Sequence, residues 1–211
     1  MRRLPVYLLL DTSGSMSGEP LEAVKNGVQV MVSSLRQNPQ AIETAYLSII
    51  TFGTTAEQVV PLTELALFQA PPLTASGTTA LGAALELTAE RIGAEVRKNS
   101  ELKKGDWKPL VFLLTDGVPT DNYREGIKIF QKASVGMIVA CGVGGAKMEV
   151  LREITPNLIQ LESSDSQTLS KYFEWLSASI GTSSERVDRG GKDVRDLDEL
   201  PPPPDELNIV I

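Results

Sequence analysis

Leu4-Pro5-Val6-Tyr7-Leu8-Leu9-Leu10-Asp11-Thr12-Ser13-Gly14-Ser15-Met16 sets a near-continuous apolar run against a carboxylate and two hydroxyls spaced two residues apart. An apolar run without alternation is how a strand covered on both faces of a parallel sheet reads. The polar residues then fall where a buried strand ends and the chain turns. Hard oxygen donors in such a place suit Mg²⁺ or Mn²⁺ rather than a soft metal. The same six residues, 11–16, also read as a strand-to-helix loop with a serine cap. The metal reading therefore depends on whether further oxygens arrive from equivalent strand ends.

Working outward, Leu21, Val24, Val28, Val32 and Leu35 repeat at helical spacing, with Pro20 in the first turn and Asn38-Pro39 as the stop. Residues 45–52 form a second strand. Gly53-Thr54-Thr55 turns it into 57–62, a short hairpin connection that implies an antiparallel edge strand. Past a connector at 65–72, Ser76-Gly77-Thr78-Thr79 leads into a helix with Leu81, Leu85, Ala89, Ile92 and Val96 on one face. Residues 98–108 read as a solvent loop, and 109–115 as the most strand-like run of the chain, closing on Asp116-Gly117. A helix over 123–133, a strand over 135–143, a helix over 147–154 and a strand over 158–161 follow. The last helix spans 165–180, with Gly181 as its stop.

Strands alternating with amphipathic helices give an α/β, doubly wound, Rossmann-like three-layer sandwich, mostly parallel with one antiparallel edge strand. We expect this domain to occupy 1–181. Residues 182–211 are expected to be a disordered or extended acidic tail, with polyproline II over 201–204. Its apolar end, 207–211, suits β-augmentation on the same or another chain.

Composition narrows the chemistry. With 211 residues and 42% apolar side chains the chain can bury a real core. The net charge of −7 argues against a nucleic-acid partner, and residues 182–211 contribute −4 of it. There is no histidine, which removes Ser-His-Asp and Cys-His nucleophile systems and His-ligated zinc. The single cysteine, Cys141, reads as a buried small side chain and fits a reducing compartment. No apolar run is long enough to span a bilayer, and the basic start lacks a cleavable leader pattern. The expectation is a cytoplasmic, mature protein without a membrane partner.

Three polar segments lie at strand ends or helix starts: Asp11-Thr12-Ser13-Gly14-Ser15, Gly77-Thr78-Thr79 and Thr115-Asp116-Gly117. In an open α/β sheet, ligands bind outside the carboxyl ends of the strands, where connection order reverses. Neutral hydroxyl ligands leave a dication much of its charge, while Asp11 and Asp116 orient waters and serines from behind. One coordination position would remain for an anion from outside. Asp121 either lines the rim of this site or caps the helix that follows it. Residues 141–145 are glycine-rich but match no phosphate-loop pattern. Trp107 and Trp175 read as packing residues.

Asp-x-Ser-Gly-Ser after the first strand, Gly-Thr-Thr-Ala-Leu-Gly before a helix and Thr-Asp-Gly after a central strand resemble a von Willebrand factor A (VWA) domain. The resemblance covers about residues 4–180. It implies a metal-ion-dependent adhesion site (MIDAS) made by Asp11, Ser13, Ser15, Thr79 and Asp116, with Thr78 as the alternative threonine. It also implies Mg²⁺, Mn²⁺ or Ca²⁺ as the ion and a partner's Asp or Glu as its final ligand. The stretches 1–20, 76–82 and 104–121 are similar to bacterial TerY-type proteins of tellurium-resistance clusters. That likeness implies stress-response work beside a protein kinase and a PP2C-type phosphatase. The expected role is thus a non-enzymatic adaptor or scaffold. The alternatives are a Mg²⁺-dependent phosphotransferase with Asp11 as nucleophile, or an assembly protein joined through its tail.

Overall fold

Alternate residues of the first strand face opposite layers, which is why the whole run had to be apolar. In β1 (Leu4–Asp11), Leu4, Val6, Leu8 and Leu10 enter one core, while Tyr7 and Leu9 enter the other. The computed structural model that shows this describes residues 2–204 and 207–210. β4 (Leu110–Thr115) repeats the split, sending Leu110, Phe112 and Leu114 to the first core and Val111 and Leu113 to the second.

The sheet has seven strands in the order β3-β2-β1-β4-β5-β6-β7. β2 (Ala45–Phe52), β1, β4, β5 (Met137–Val143) and β6 (Leu158–Leu161) run parallel. β3 (Ala56–Glu64) pairs antiparallel to β2, the edge strand that the short 53–55 turn implied. One layer holds α1 (Glu19–Leu35), α2 (Pro39–Thr44) and α6 (Ser166–Gly190). The other holds α3 (Leu81–Glu95), α4 (Tyr123–Phe130) and α5 (Met148–Ile154). The chain leaves β1 toward β2 and later crosses back to β4 on β1's other side. The β1/β4 boundary is therefore the switch point where such sheets bind ligands.

The C-terminal region departs from its sequence reading. Gly181 does not stop the last helix: α6 runs to Gly190, and the left-handed stop is Gly191 at φ 62°. Gly181, Ser183 and Ser184 look like a terminator, but all three are buried together with Val187. Small side chains let this stretch lie close to α2, where Asn38 hydrogen-bonds Glu185 at 3.1 Å. A boundary at 181/182 thus falls inside a helix.

Beyond it the chain is extended yet packed. Val194, Leu200 and Leu207 are buried, and the Trp175 indole N–H donates to the Pro201 carbonyl at 2.9 Å. The stretch Asn208–Val210 forms β7, a second antiparallel edge, against β6 of the same chain. Ile211 of the apolar patch, and the acidic Asp205 and Glu206, lie outside the described residues.

Smaller differences have local causes. α2 is an added helix: Asn38, read as a stop, also starts it by accepting the Ala41 N–H at 3.0 Å, with Pro39 at the first position. β3 is longer than 57–62, α4 ends at Phe130, and β5 begins at Met137. Cys141 is buried in β5, where desolvation raises its thiol pKa well above the ordinary value.

Candidate metal centre

β1 ends at Asp11, which is 0% exposed. A carboxylate there needs donors, and the adjoining backbone supplies them. Its Oδ1 accepts the Ser13 N–H at 2.8 Å, and its Oδ2 accepts the Thr115 hydroxyl at 2.5 Å from the end of β4. Burial pushes the Asp11 carboxyl above its ordinary range. Hydrogen bonds from Ser13 and Thr115 pull it back, and the nearby Asp116 charge adds to the rise.

The turn Gly14–Met16 lifts Ser15 to the surface. Its hydroxyl donates to Asp116 Oδ1 at 2.7 Å and stands 3.0 Å from the Ser13 hydroxyl. Asp11, Ser13, Ser15 and Asp116 are thus one connected group. Thr79 closes the ring from the opposite side. A side chain added at Gly117 would meet Thr79 Oγ1 at 2.7 Å and Asp11 Oδ2 at 3.4 Å, so the two oxygens flank the same glycine. Thr79 is buried while Thr78 is exposed, so the inward threonine is Thr79.

Backbone bonds stitch the three loops together. Gly14 N–H reaches the Gly77 carbonyl at 3.0 Å, Ser76 N–H the Thr12 carbonyl at 2.8 Å, and Thr120 N–H the Thr79 carbonyl at 3.0 Å. Gly77 has φ +76°, a conformation open to glycine, and a side chain there would collide with Thr54 Oγ1.

Asp121 caps a helix, but not the one after it. It accepts the Gly82 and Ala83 N–H groups at 3.0 and 2.9 Å, at the start of α3. Residue 80, at the capping position of α3, is alanine and offers no side-chain acceptor, so the 116–122 loop supplies one from outside. Thr115 and Thr120 are the other participants that residue pattern alone does not single out. The signal for Thr115 is a hydroxyl ending an otherwise aliphatic strand directly before Asp116.

The donor set fits a hard dication. It consists of two carboxylates and three hydroxyls, and no group of three or more His, Cys, Asp or Glu side chains placed to hold a metal ion occurs among the described residues. Oxygen donors of mostly neutral type, partly open to solvent at Ser15, suit a divalent cation that keeps some of its waters. A cation beside Asp11 would also offset the cost of burying its charge.

Comparison with known proteins bears on this arrangement. A family model described as von Willebrand factor type A domain matches residues 6–174. No curated protein matches the chain. Among solved structures, proximal thread matrix protein 1 from the mussel byssus aligns at TM-score 0.62 and 18% identity, covering 85% of this chain and 48% of that one. The pilus adhesin SpaC from Lactobacillus rhamnosus GG, in an open conformation, aligns at TM-score 0.69 and 16% identity, covering 86% and 30%. A further structure of the byssus protein, described as having a zinc-occupied MIDAS motif, aligns at 0.60 and 22%, covering 87% and 46%. This chain spans about half or less of those proteins, and at such identities the likeness is one of fold.

Proposed function

The chain belongs to the von Willebrand factor type A family, and from that premise we propose that it is a metal-dependent protein-binding module. Asp11, Ser13, Ser15, Thr79 and Asp116 would hold a divalent cation, Mg²⁺ before Mn²⁺ or Ca²⁺. That ion would supply a positive centre with one position for an Asp or Glu carboxylate of a partner. The observation that carries the reading is the convergence of five side-chain oxygens from three loops at the β1/β4 switch point. The zinc-occupied MIDAS of the byssus protein supports it by analogy.

The chain's own residues do the positioning. Thr115 and the Ser13 N–H fix both Asp11 oxygens, Asp116 orients Ser15, and Asp121 fixes the start of α3 and hence Thr79. The same geometry argues against Asp11 as a phosphoryl-accepting nucleophile. It is fully buried with both oxygens engaged, and the residue two positions on is Ser13 rather than an acid.

The finer setting is also a proposal. Bacterial tellurite or stress resistance, beside a kinase and a PP2C-type phosphatase, is supported by the TerY-like stretches. A cytoplasmic site is supported by the lone buried cysteine, and no helix among the described residues is long and apolar enough to cross a membrane. The test is affinity capture from a source-cell lysate with Mg²⁺ and with EDTA, using wild type, Asp11→Ala and Asp116→Ala. Prey that is lost with EDTA and with both folded variants supports the reading. Capture that is indifferent to all three refutes it.

A further inference from the structure

The opposite pole of the domain carries a second concave surface that the metal centre does not use. Between the C-terminal ends of α3 and α4 and the start of β4 lies a cavity of about 780 Å³. β4 alone separates the two poles by about 20 Å at the usual rise per residue. The cavity's inner wall is apolar, formed by Ala89, Ile92, Val96, Pro109 and Ile129 with the Trp107 indole. Its rim is cationic, with Arg2, Arg97, Lys98, Lys108 and Lys132. A shallower recess shares Arg2, Arg97 and Lys98 with it and adds Lys103 and Lys104.

This is the reverse of the chain's overall charge of −7. The cavity lining also holds four acids. Asp106 is engaged by Arg3 at 2.5 Å, Glu90 by Arg91 at 3.1 Å, and Asp193 accepts the Lys108 N–H at 3.0 Å. Glu86 is exposed, and the seven bases of the two recesses outnumber the acids. None of the seven basic residues is ion-paired among the described residues. Arg2 is anchored without an acid: it lies 3.4 Å over the Trp107 ring and donates to the Gly105 and Asp106 carbonyls. That arrangement holds a guanidinium in place while leaving its charge uncompensated.

We propose that this pole is a second binding site, for an acidic peptide segment of a protein partner that carries an apolar anchor side chain. The apolar wall fits the anchor. The cations come from separate segments, at Arg2, Arg97-Lys98, Lys103-Lys104, Lys108 and Lys132, and are mostly lysines. Distributed point charges suit a row of carboxylates better than a single phosphate, which favours a bidentate arginine or a nest of backbone N–H groups.

The test uses the full chain in EDTA, which removes the proposed metal route for carboxylates and so separates this site from that one. A labelled peptide with a central Phe flanked by Glu residues is titrated by fluorescence anisotropy at low and moderate salt. Lys98 and Lys132 are exposed, so Lys98→Glu with Lys132→Glu leaves the fold intact and is expected to weaken binding at least tenfold. Gly93 also lines the cavity, and a side chain there meets nothing within 4 Å. Gly93→Leu should therefore occupy the anchor space and weaken the Phe peptide, but not a peptide lacking the Phe. The proposal is overturned by absent binding in EDTA, by binding that survives the double charge reversal, or by a single-stranded oligonucleotide binding more tightly than the peptide.

Discussion

Asp121 offers a sharp perturbation because one side chain is asked to serve a helix 39 positions earlier in the chain. Replacing it with Ala removes both acceptors from the first turn of α3, at Gly82 and Ala83. Losing a helix cap costs about 0.5–2 kcal/mol. Two charge-assisted bonds place this case toward the upper end, and partial solvent exposure of the side chain lowers it to about 1.5 kcal/mol. For a domain of this size that is a fall in midpoint of roughly 3–6 °C. Urea unfolding should show a lower midpoint at unchanged slope. Amide exchange should accelerate at Gly82 and Ala83 while the start of α4 is unaffected. Divalent-ion affinity should fall too, because Thr79 sits just ahead of this turn. A loss below about 0.5 kcal/mol, or faster exchange at α4 instead, would refute the assignment.

Gly117→Ala places a carbon 2.7 Å from Thr79 Oγ1, so the threonine must move. Overpacking of this kind costs about 1–3 kcal/mol, and ion binding should weaken more than folding does; equal ion affinity in a titration would contradict it. Gly27→Ala drives a carbon to 2.1 Å from the Phe173 ring at the α1/α6 contact. It should destabilise by at least about 2 kcal/mol in urea, with partial rescue by Phe173→Leu; simple additivity of the two changes would count against the contact. The Asp165 carboxyl, capping α6 and held by Ser163 and Thr168, is lowered to about 2 from 3.8. Its contribution is therefore full above pH 4 and lost as pH falls through 2. The stability gap between wild type and Asp165→Asn should close over that interval, and a gap constant with pH would falsify the shift.

The layered sheet was legible because burial on both faces leaves its mark on single residues. Leu4 to Leu10 and Leu110 to Leu114 are continuously apolar or aromatic, and runs this short favour a strand covered on both faces over a buried helix. The clustering of Asp11, Ser13, Ser15 and Asp116 was legible because each lies at the end of such a strand or in the loop that follows it. The choice of Thr79 over Thr78 depends on which hydroxyl turns toward Gly117, a fact of backbone geometry.

Asp121 reads as a cap from its type, but local pattern offers only the next helix as its target. The C-terminal region hides its packing for another reason. Val194, Leu200 and Leu207 are too widely and irregularly spaced for a helix or strand period. Gly181-Thr182-Ser183-Ser184 imitates a terminator, because small residues serve close helix approach as well as helix ends.

The proposed binding module depends on a hydroxyl-rich cation site formed by three loops at the β1/β4 switch point. Isothermal titration of the full chain with Mg²⁺ and with Mn²⁺ tests it directly. One ion per chain is expected, with affinity reduced at least tenfold in Asp116→Ala and in Ser13→Ala, while circular dichroism of both variants stays unchanged. Absent saturable binding in the wild type, or binding that both variants retain in full, would contradict it.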